Sequence, residues 1–261
     1  MIPHVVPPLT ALRVLVTRPQ PQATSLAAGI EAMGGEAIVF PALAVEPIAA
    51  APQQAHDLIV FASVHAVEFG AKLIERTSTM RVAAIGKATA AALAAADLPA
   101  DIVPAAAFTS EALLAHPDLK LVAGQRVLIV RGQGGREALR EAFTSQGLSV
   151  TACEVYRRIK PSIDPAAIAA LESRWLEEGI DIVTATSVET FTNLSEILSE
   201  RGRAVLRTTP LLAPSRRIID AALASGWNAE AFISYGADDL SLLGTLANWR
   251  TRARSNEAAT G

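Results

Sequence analysis

The sequence predicts an α/β protein made of two similar parallel-sheet domains, one inserted into the other. Three observations carry this. First, the chain repeats itself: Arg13-Val14-Leu15-Val16-Thr17-Arg18 recurs 113 residues later as Arg126-Val127-Leu128-Ile129-Val130-Arg131. Asp57-Leu58-Ile59-Val60 with Ser63-Val64 recurs as Asp181-Ile182-Val183-Thr184 with Ser187-Val188, offset by 124, and the run 83–89 matches 211–217, offset by 128. A slow drift of this kind is what short loop insertions produce, and two related domains imply a cleft. Second, short β-branched runs alternate with longer Ala-rich amphipathic runs, the pattern of buried strands under covering helices. Third, prolines gather at two joints, Pro41, Pro47 and Pro52 at one, Pro161 and Pro165 at the other.

In order along the chain, candidate strands occupy 13–17, 36–40, 57–62, 81–85, 100–103, 126–130, 148–152, 181–186, 209–213 and 229–233. The helix over 22–33 stops at Gly34-Gly35, and the helix over 137–146 stops at Gly147, both C-cap signals. Residues 1–40 hold only a strand, a helix and a strand, too little to bury a core alone. They therefore complete a discontinuous outer domain with 162–261, while 53–151 form the inserted middle domain. Residues 41–52 and 152–161 are expected to be a two-stranded β hinge. In the outer domain the repeat units run 13, 36, 181, 209, 229, whereas in the middle domain the equivalents of the first two come last. The middle domain is thus a circular permutation of the outer one, each with a flavodoxin-like sheet. From Arg250 onward the chain reads as a polar frayed tail.

Composition narrows the function. Half of the 261 residues are apolar (51%) but only 5% are aromatic, so Ala, Val, Leu and Ile must build the core. Twenty-three basic against 26 acidic residues, scattered along the chain, leave no basic footprint for nucleic acid. The single cysteine, Cys153, excludes an internal disulfide and fits a reducing compartment. Lys87, Asp97 and Asp101 interrupt the most hydrophobic stretch below the ~18 residues of a membrane span. With no signal-peptide pattern after Met1, a cytoplasmic protein without membrane attachment is expected. His4, His56, His65 and His116 share no ligand spacing, so no metal is expected.

Ligands of open parallel sheets bind beyond the carboxyl ends of the strands. In the outer domain those ends carry Thr17-Arg18-Pro19, Thr186-Ser187-Val188, Pro214-Ser215-Arg216-Arg217 and Ser234-Tyr235-Gly236. In the middle domain they carry Ser63-Val64-His65, Gly86-Lys87-Ala88-Thr89, Phe108-Thr109-Ser110 and the run from Arg131 to Arg136. Nearly all pair a hydroxyl with a cation at a helix start, where free N–H groups favour anions. Singly, Ser63, Thr89, Ser110 and Ser187 are helix caps more often than ligand contacts. Arg18 and Arg131 end matching strands, where a structural salt bridge is at least as common as substrate binding. Together the loops point to a large anionic ligand held from two sides. The run Gly132-Gln133-Gly134-Gly135 is not a dinucleotide fingerprint, because Glu137 stands where the third glycine is required. His65 is open between a helix-start residue facing the cleft and a solvated surface residue. Tyr156 lies on the second hinge strand; a proton donor facing the cleft and a half-buried strand aromatic are evenly balanced.

Taken together, Val16-Thr17-Arg18-Pro19, the run from Phe61 to Val67 around Ser63 and His65, the run from Ala84 to Leu93 with Gly86, Lys87 and Thr89, Arg131-Gly132 with Arg136, and Tyr156 resemble the uroporphyrinogen-III synthase family. The match runs from Val14 to about Trp249. The resemblance implies an enzyme, a lyase of tetrapyrrole and heme biosynthesis, with no cofactor. It would cyclise hydroxymethylbilane through an azafulvene and a spiro intermediate, with loss of water and inversion of ring D. It implies that Tyr156 assists departure of the hydroxyl, and that Arg18, Ser63, Gly86, Lys87, Thr89, Arg131, Arg136, Ser187 and Ser215 contact the substrate in the interdomain cleft. Its one partner class would be a small-molecule linear tetrapyrrole, with transient hand-over from hydroxymethylbilane synthase, and the chain would act as a monomer. Ala62, His65 and Ala213-Pro214-Ser215 depart from the usual threonine, asparagine and glycine-proline-threonine. The rival from another class is a non-catalytic hinged binder of an anionic metabolite.

Overall fold

The computed structural model describes residues 7–53, 56–105, 109–135 and 137–260, with side chains as far as Arg252. His4, Phe108 and Arg136 lie outside the described residues. In chain order the strands are β1 (Arg13–Val16), β2 (Glu36–Val39), β3 (Ala44–Pro47), β4 (Leu58–Phe61), β5 (Arg81–Ala84), β6 (Arg126–Gly132), β7 (Ser149–Ile159), β8 (Ile182–Thr184), β9 (Leu211–Ala213) and β10 (Ala231–Ile233). The helices are α1 (Gln22–Ala32), α2 (Val64–Gly70), α3 (Lys87–Ala95), α4 (Ser110–Leu114), α5 (Ala138–Ser145), α6 (Pro165–Glu177), α7 (Val188–Ile197), α8 (Glu200–Thr208), α9 (Arg216–Ala224) and α10 (Asp239–Thr260). The chain divides into two compact units, one of the described residues up to Ala44 with those from Lys160 onward, the other of Val45–Ile159.

The first unit is a five-stranded sheet in the order β10-β9-β8-β1-β2, and every pairing in it is parallel. Its edge strands β2 and β10 are largely exposed. The central strands β9, β8 and β1 are buried on both faces, which is why they read as unbroken apolar runs. The period of two divides them: Leu15, Val183 and Leu211 pack with Trp175 and Trp227 on one side, and Val14, Val16 and Ile182 pack with Leu26 and Ile30 on the other. The second unit orders its strands β3-β7-β6-β4-β5. Ile59, Phe61, Leu128 and Val130 line one face, and Leu58, Val60, Val127 and Ile129 the other.

The internal repeat is visible in the pairing. Val14 opposes Ile182 in the first unit and Val127 opposes Leu58 in the second, reproducing the offsets of 113 and 124. Even the ends of these strands are tied alike. Asp181 Oδ2 accepts the amide of Arg13 at 2.6 Å, and Asp57 Oδ2 accepts the amide of Arg126 at 2.7 Å. The third offset differs by one residue. Val183 opposes Leu211 and Ile59 opposes Val82, so the structural offset there is 129 rather than 128. Counted from β6, the second sheet has the spatial order of the first, with the place of β10 taken by Ile102.

Three elements differ from the sequence expectation. The strand expected over 100–103 is a single parallel bridge between Ile102 and Ala83. Pro99 and Pro104 flank it, and neither can donate a ladder hydrogen bond. The segment 148–161, expected as one strand and then a hinge strand, is one continuous 11-residue strand, β7, paired with β3. The tail expected to fray from Arg250 is instead helical to Thr260 as part of α10. Leu242 and Leu246, four residues apart and fully buried, anchor that helix, and no proline or glycine interrupts it after Gly244.

Candidate functional site

The site grows from the carboxyl end of β6. Arg131 pairs with Glu154 of β7 and the next residue, Gly132, pairs with Tyr156, so β7 carries one extra residue, Val155, as a β-bulge. Strict alternation would send Val155 and Tyr156 to opposite faces. The bulge lets both join the same buried cluster, with Tyr156 only 4% exposed.

The phenol is held from several sides. A Cβ on Gly132 would lie 2.5 Å from the Tyr156 ring, so only glycine lets the ring lie on this strand. The Tyr156 carbonyl accepts the amide of Gln133 at 2.7 Å. His65 meets the ring edge-on at 5.6 Å between centroids, and Phe69 lies tilted at 6.3 Å. Glu68 Oε2 lies 3.2 Å from His65 Nδ1, on the side chain's exposed flank, while the ring itself stands against the tyrosine. The phenol oxygen reaches Ser63 Oγ at 3.0 Å. Ser63 also caps α2 by accepting the amide of Ala66 at 3.1 Å. The capping reading weighed in the sequence is realised, and the same hydroxyl meets the phenol.

Ser63 and Tyr156 stand on the wall of a cavity of about 260 Å³ within the second unit. Thr109, Ser110, Gln133, Arg131 and Arg158 give it a polar side, and Ile85, Ile129 and Leu139 an apolar one. Arg131 is buried but already matched by carboxylates, Glu137 at 2.6 Å and Glu154 at 3.3 Å. It also donates to the carbonyl of Gly135 at 3.2 Å. The hydrogen bond from Arg131 holds the Glu137 carboxyl below its ordinary range, against the opposing effect of desolvation. Burial pushes the Cys153 thiol up, as befits the small core residue expected on that strand.

The remaining candidates are placed unit by unit. In the second unit Gly86 is the N-cap of α3, Lys87 its exposed first residue, and Thr89 is buried on its first turn. In the first unit Arg18, the repeat partner of Arg131, is likewise held by a carboxylate, that of Asp239, which also accepts the Ser25 hydroxyl at 2.5 Å. Ser187 caps α7 through the amide of Thr190 at 3.0 Å, the counterpart of Ser63 and Ala66. Ser215 sits at the N-cap of α9 without a capping hydrogen bond from its side chain. Sequence reasoning did not find Glu137 or Glu154 as the partners of Arg131, Gly132 as the seat of the tyrosine ring, or Arg158 beside the cavity. The glycine was visible in the Gly132–Gly135 run, but nothing local marked what would lie on it.

Comparison with known proteins bears on the family of the chain. A family model described as uroporphyrinogen-III synthase HemD matches residues 24–233. The uroporphyrinogen-III synthase of Salmonella typhimurium strain LT2 is 33% identical over 250 residues, covering 90% of this chain and all of that one. That of Escherichia coli K12 is 32% identical over 249 residues, with the same coverage. Among solved structures, uroporphyrinogen III synthase from the extremely thermophilic bacterium Thermus thermophilus, a mutant form, superposes with a TM-score of 0.55 at 22% identity, over 94% of this chain and all of that one. Uroporphyrinogen-III synthetase from Helicobacter pylori 26695 superposes with a TM-score of 0.56 at 12% identity, over 90% and 97%. At those identities the structures speak for the fold, which is shared nearly end to end. The family match over most of the chain, and relatives above 30% identity along their full length, place this chain in the uroporphyrinogen-III synthase family.

Proposed function

We propose that Tyr156 is the proton donor for the family's reaction, the cyclisation of hydroxymethylbilane to uroporphyrinogen III with loss of water. The observation that carries this is the phenol itself: a buried ring, seated on Gly132 and hydrogen-bonded to Ser63, on the wall of a polar-sided cavity. A hydroxyl is a poor leaving group unless it gains a proton as the C–O bond breaks, and a fixed phenol supplies one. The resulting azafulvene attacks the substituted position of the last pyrrole, and the spiro intermediate rearranges to close the ring with ring D inverted.

At about 260 Å³ the cavity is smaller than the roughly 300–1,000 Å³ of sites that enclose a whole ligand. It suits one pyrrole ring and its side chains, leaving the rest of the bilane outside. Thr109, Ser110 and Arg158 offer donors to the carboxylates of that ring. The N-terminus of α3 at Gly86-Lys87, with Thr89 on its first turn, is assigned to a neighbouring ring. Arg131, balanced by carboxylates, is assigned to shaping the site and to its charge rather than to direct capture of substrate. The test is to supply hydroxymethylbilane and identify the isomer formed. The type III isomer is expected; only type I, at the uncatalysed rate, would overturn the reading in favour of a binding protein.

A further inference from the structure

Resting on the reading of Tyr156 as proton donor, we propose that Ser63 is its positioning residue, donating a hydrogen bond to the phenol oxygen so that the phenolic proton faces the cavity. Tyr156 has one proton to give. If it gives that proton to Ser63, none is presented to a leaving hydroxyl. The two oxygens, 3.0 Å apart, allow either direction, so the surroundings of Ser63 decide.

Ser63 Oγ already accepts the amide of Ala66 at 3.1 Å. An oxygen that accepts a hydrogen bond is polarised into a better donor, and the partner it faces here is the phenol. The phenol cannot turn away, because Gly132 lies under its ring and His65 and Phe69 stand against it. Among the described residues, Ser63 is the side chain that reaches the phenol oxygen.

The proton balance then closes. The substrate C–O bond breaks with its electron pair on oxygen, that oxygen takes the Tyr156 proton, and water leaves. The phenolate left behind is buried and would be costly without a donor, which Ser63 supplies. The proton released when the macrocycle closes returns to the phenolate, and Ser63 keeps its own proton throughout.

The experiment measures steady-state formation of the type III isomer by Ser63→Gly, Ser63→Thr, Tyr156→Phe and the double variant that combines Ser63→Gly with Tyr156→Phe, with a thermal melt of each. Glycine is tolerated at an N-cap, so Ser63→Gly removes the hydroxyl and keeps the helix start; Ser63→Ala is the second variant should the first fail to fold. Ser63→Gly is expected to lower kcat by about 10- to 100-fold with KM within about twofold, as loss of one preorganised donor does. Ser63→Thr restores turnover to within about threefold. In the Tyr156→Phe background Ser63→Gly costs less than about a further twofold, because the group it serves is gone. Wild-type kcat in Ser63→Gly alongside a slow Tyr156→Phe overturns the inference and leaves the tyrosine reading standing. An equal loss in both backgrounds also overturns it, since Ser63 would then act elsewhere. Full turnover by Tyr156→Phe removes the tyrosine reading itself.

Discussion

The hydroxyl of Ser63 and the phenol of Tyr156 lie 3.0 Å apart although 93 residues separate them in the chain. One ends the loop after β4 and the other follows a bulge in β7, and β6 lies between those strands in the sheet. The pair exists because the extra residue, Val155, brings Tyr156 onto the face that Ser63 occupies. Four consequences of the packing in this chain can be measured.

Removing the phenol oxygen should slow the reaction and spare the fold. Tyr156→Phe keeps the ring on Gly132 and deletes only the group bonded to Ser63. Turnover to the type III isomer is expected to fall about 100-fold, the scale of general-acid catalysis, with little change in the melting temperature. Unchanged turnover would take Tyr156 out of the mechanism.

Crowding the ring should harm both stability and rate. In Gly132→Ala the new methyl would meet the Tyr156 ring at 2.5 Å, so the ring or the strand must shift. Overpacking of this kind costs about 1–3 kcal/mol. Gly244→Ala is the control: it lies within α10 with nothing within 4 Å of the added methyl. Alanine there should raise stability by about 0.5–1 kcal/mol and leave turnover alone. Urea unfolding with a parallel assay separates the two; a Gly132→Ala protein as active and stable as the wild type would refute the seat assigned to the ring.

Acid should remove the contribution of one ion pair. Glu137 has its carboxyl held low in the folded protein, first by the hydrogen bond from Arg131. A carboxylate with a depressed folded value stabilises the protein above its unfolded value, near 4.5, and loses that contribution as pH falls through the folded value. The difference in melting temperature between wild type and Glu137→Gln should therefore be present at pH 7 and close progressively below about pH 4.5. A difference that persists unchanged into acid would show that the pairing does not contribute.

The thiol of Cys153 should be inert in the native protein. It is buried, and burial raises it above its ordinary range, so the thiolate that reacts is suppressed. Aromatic disulfide reagents at pH 8 should modify it only when denaturant opens the unit. Rapid labelling of the folded chain would contradict its packing in the core beside Val130 and Val155.

Much of the framework could be read from local pattern. Nine of the ten candidate strands appear as strands at or within a few residues of their expected places, because burying both faces of a parallel strand demands a short unbroken apolar run. Asp57 and Asp181 stood out as matched residues at the heads of β4 and β8, and each ties the amide of an equally matched arginine. The segment at 100–103 misled because its apolar content resembled a strand while its flanking prolines withheld the ladder. The tail misled in the other direction, since polar side chains over 250–260 say nothing against a helix that Leu242 and Leu246 have already anchored.

The site was legible as a set of strand-end loops and illegible as contacts. Arg18 and Arg131 could be paired with each other by repeat, yet their counter-charges, Asp239, Glu137 and Glu154, could not be chosen among 26 acidic residues. Ser187 was correctly weighed as a cap from its own neighbourhood, because its partner amide is three residues away. Ser63 needed more, because its second partner is distant.

From sequence alone come the two domains, their permuted order, the strands, the helix starts and the residues at the strand ends, since each depends on periodicity or capping within a few residues. Folding in three dimensions decided that Tyr156 lies on Gly132 against Ser63 and that Arg131 is spoken for by two glutamates. The physical reason is the register: one additional residue in β7 reverses which face a side chain occupies, and that choice reflects the packing of a whole sheet.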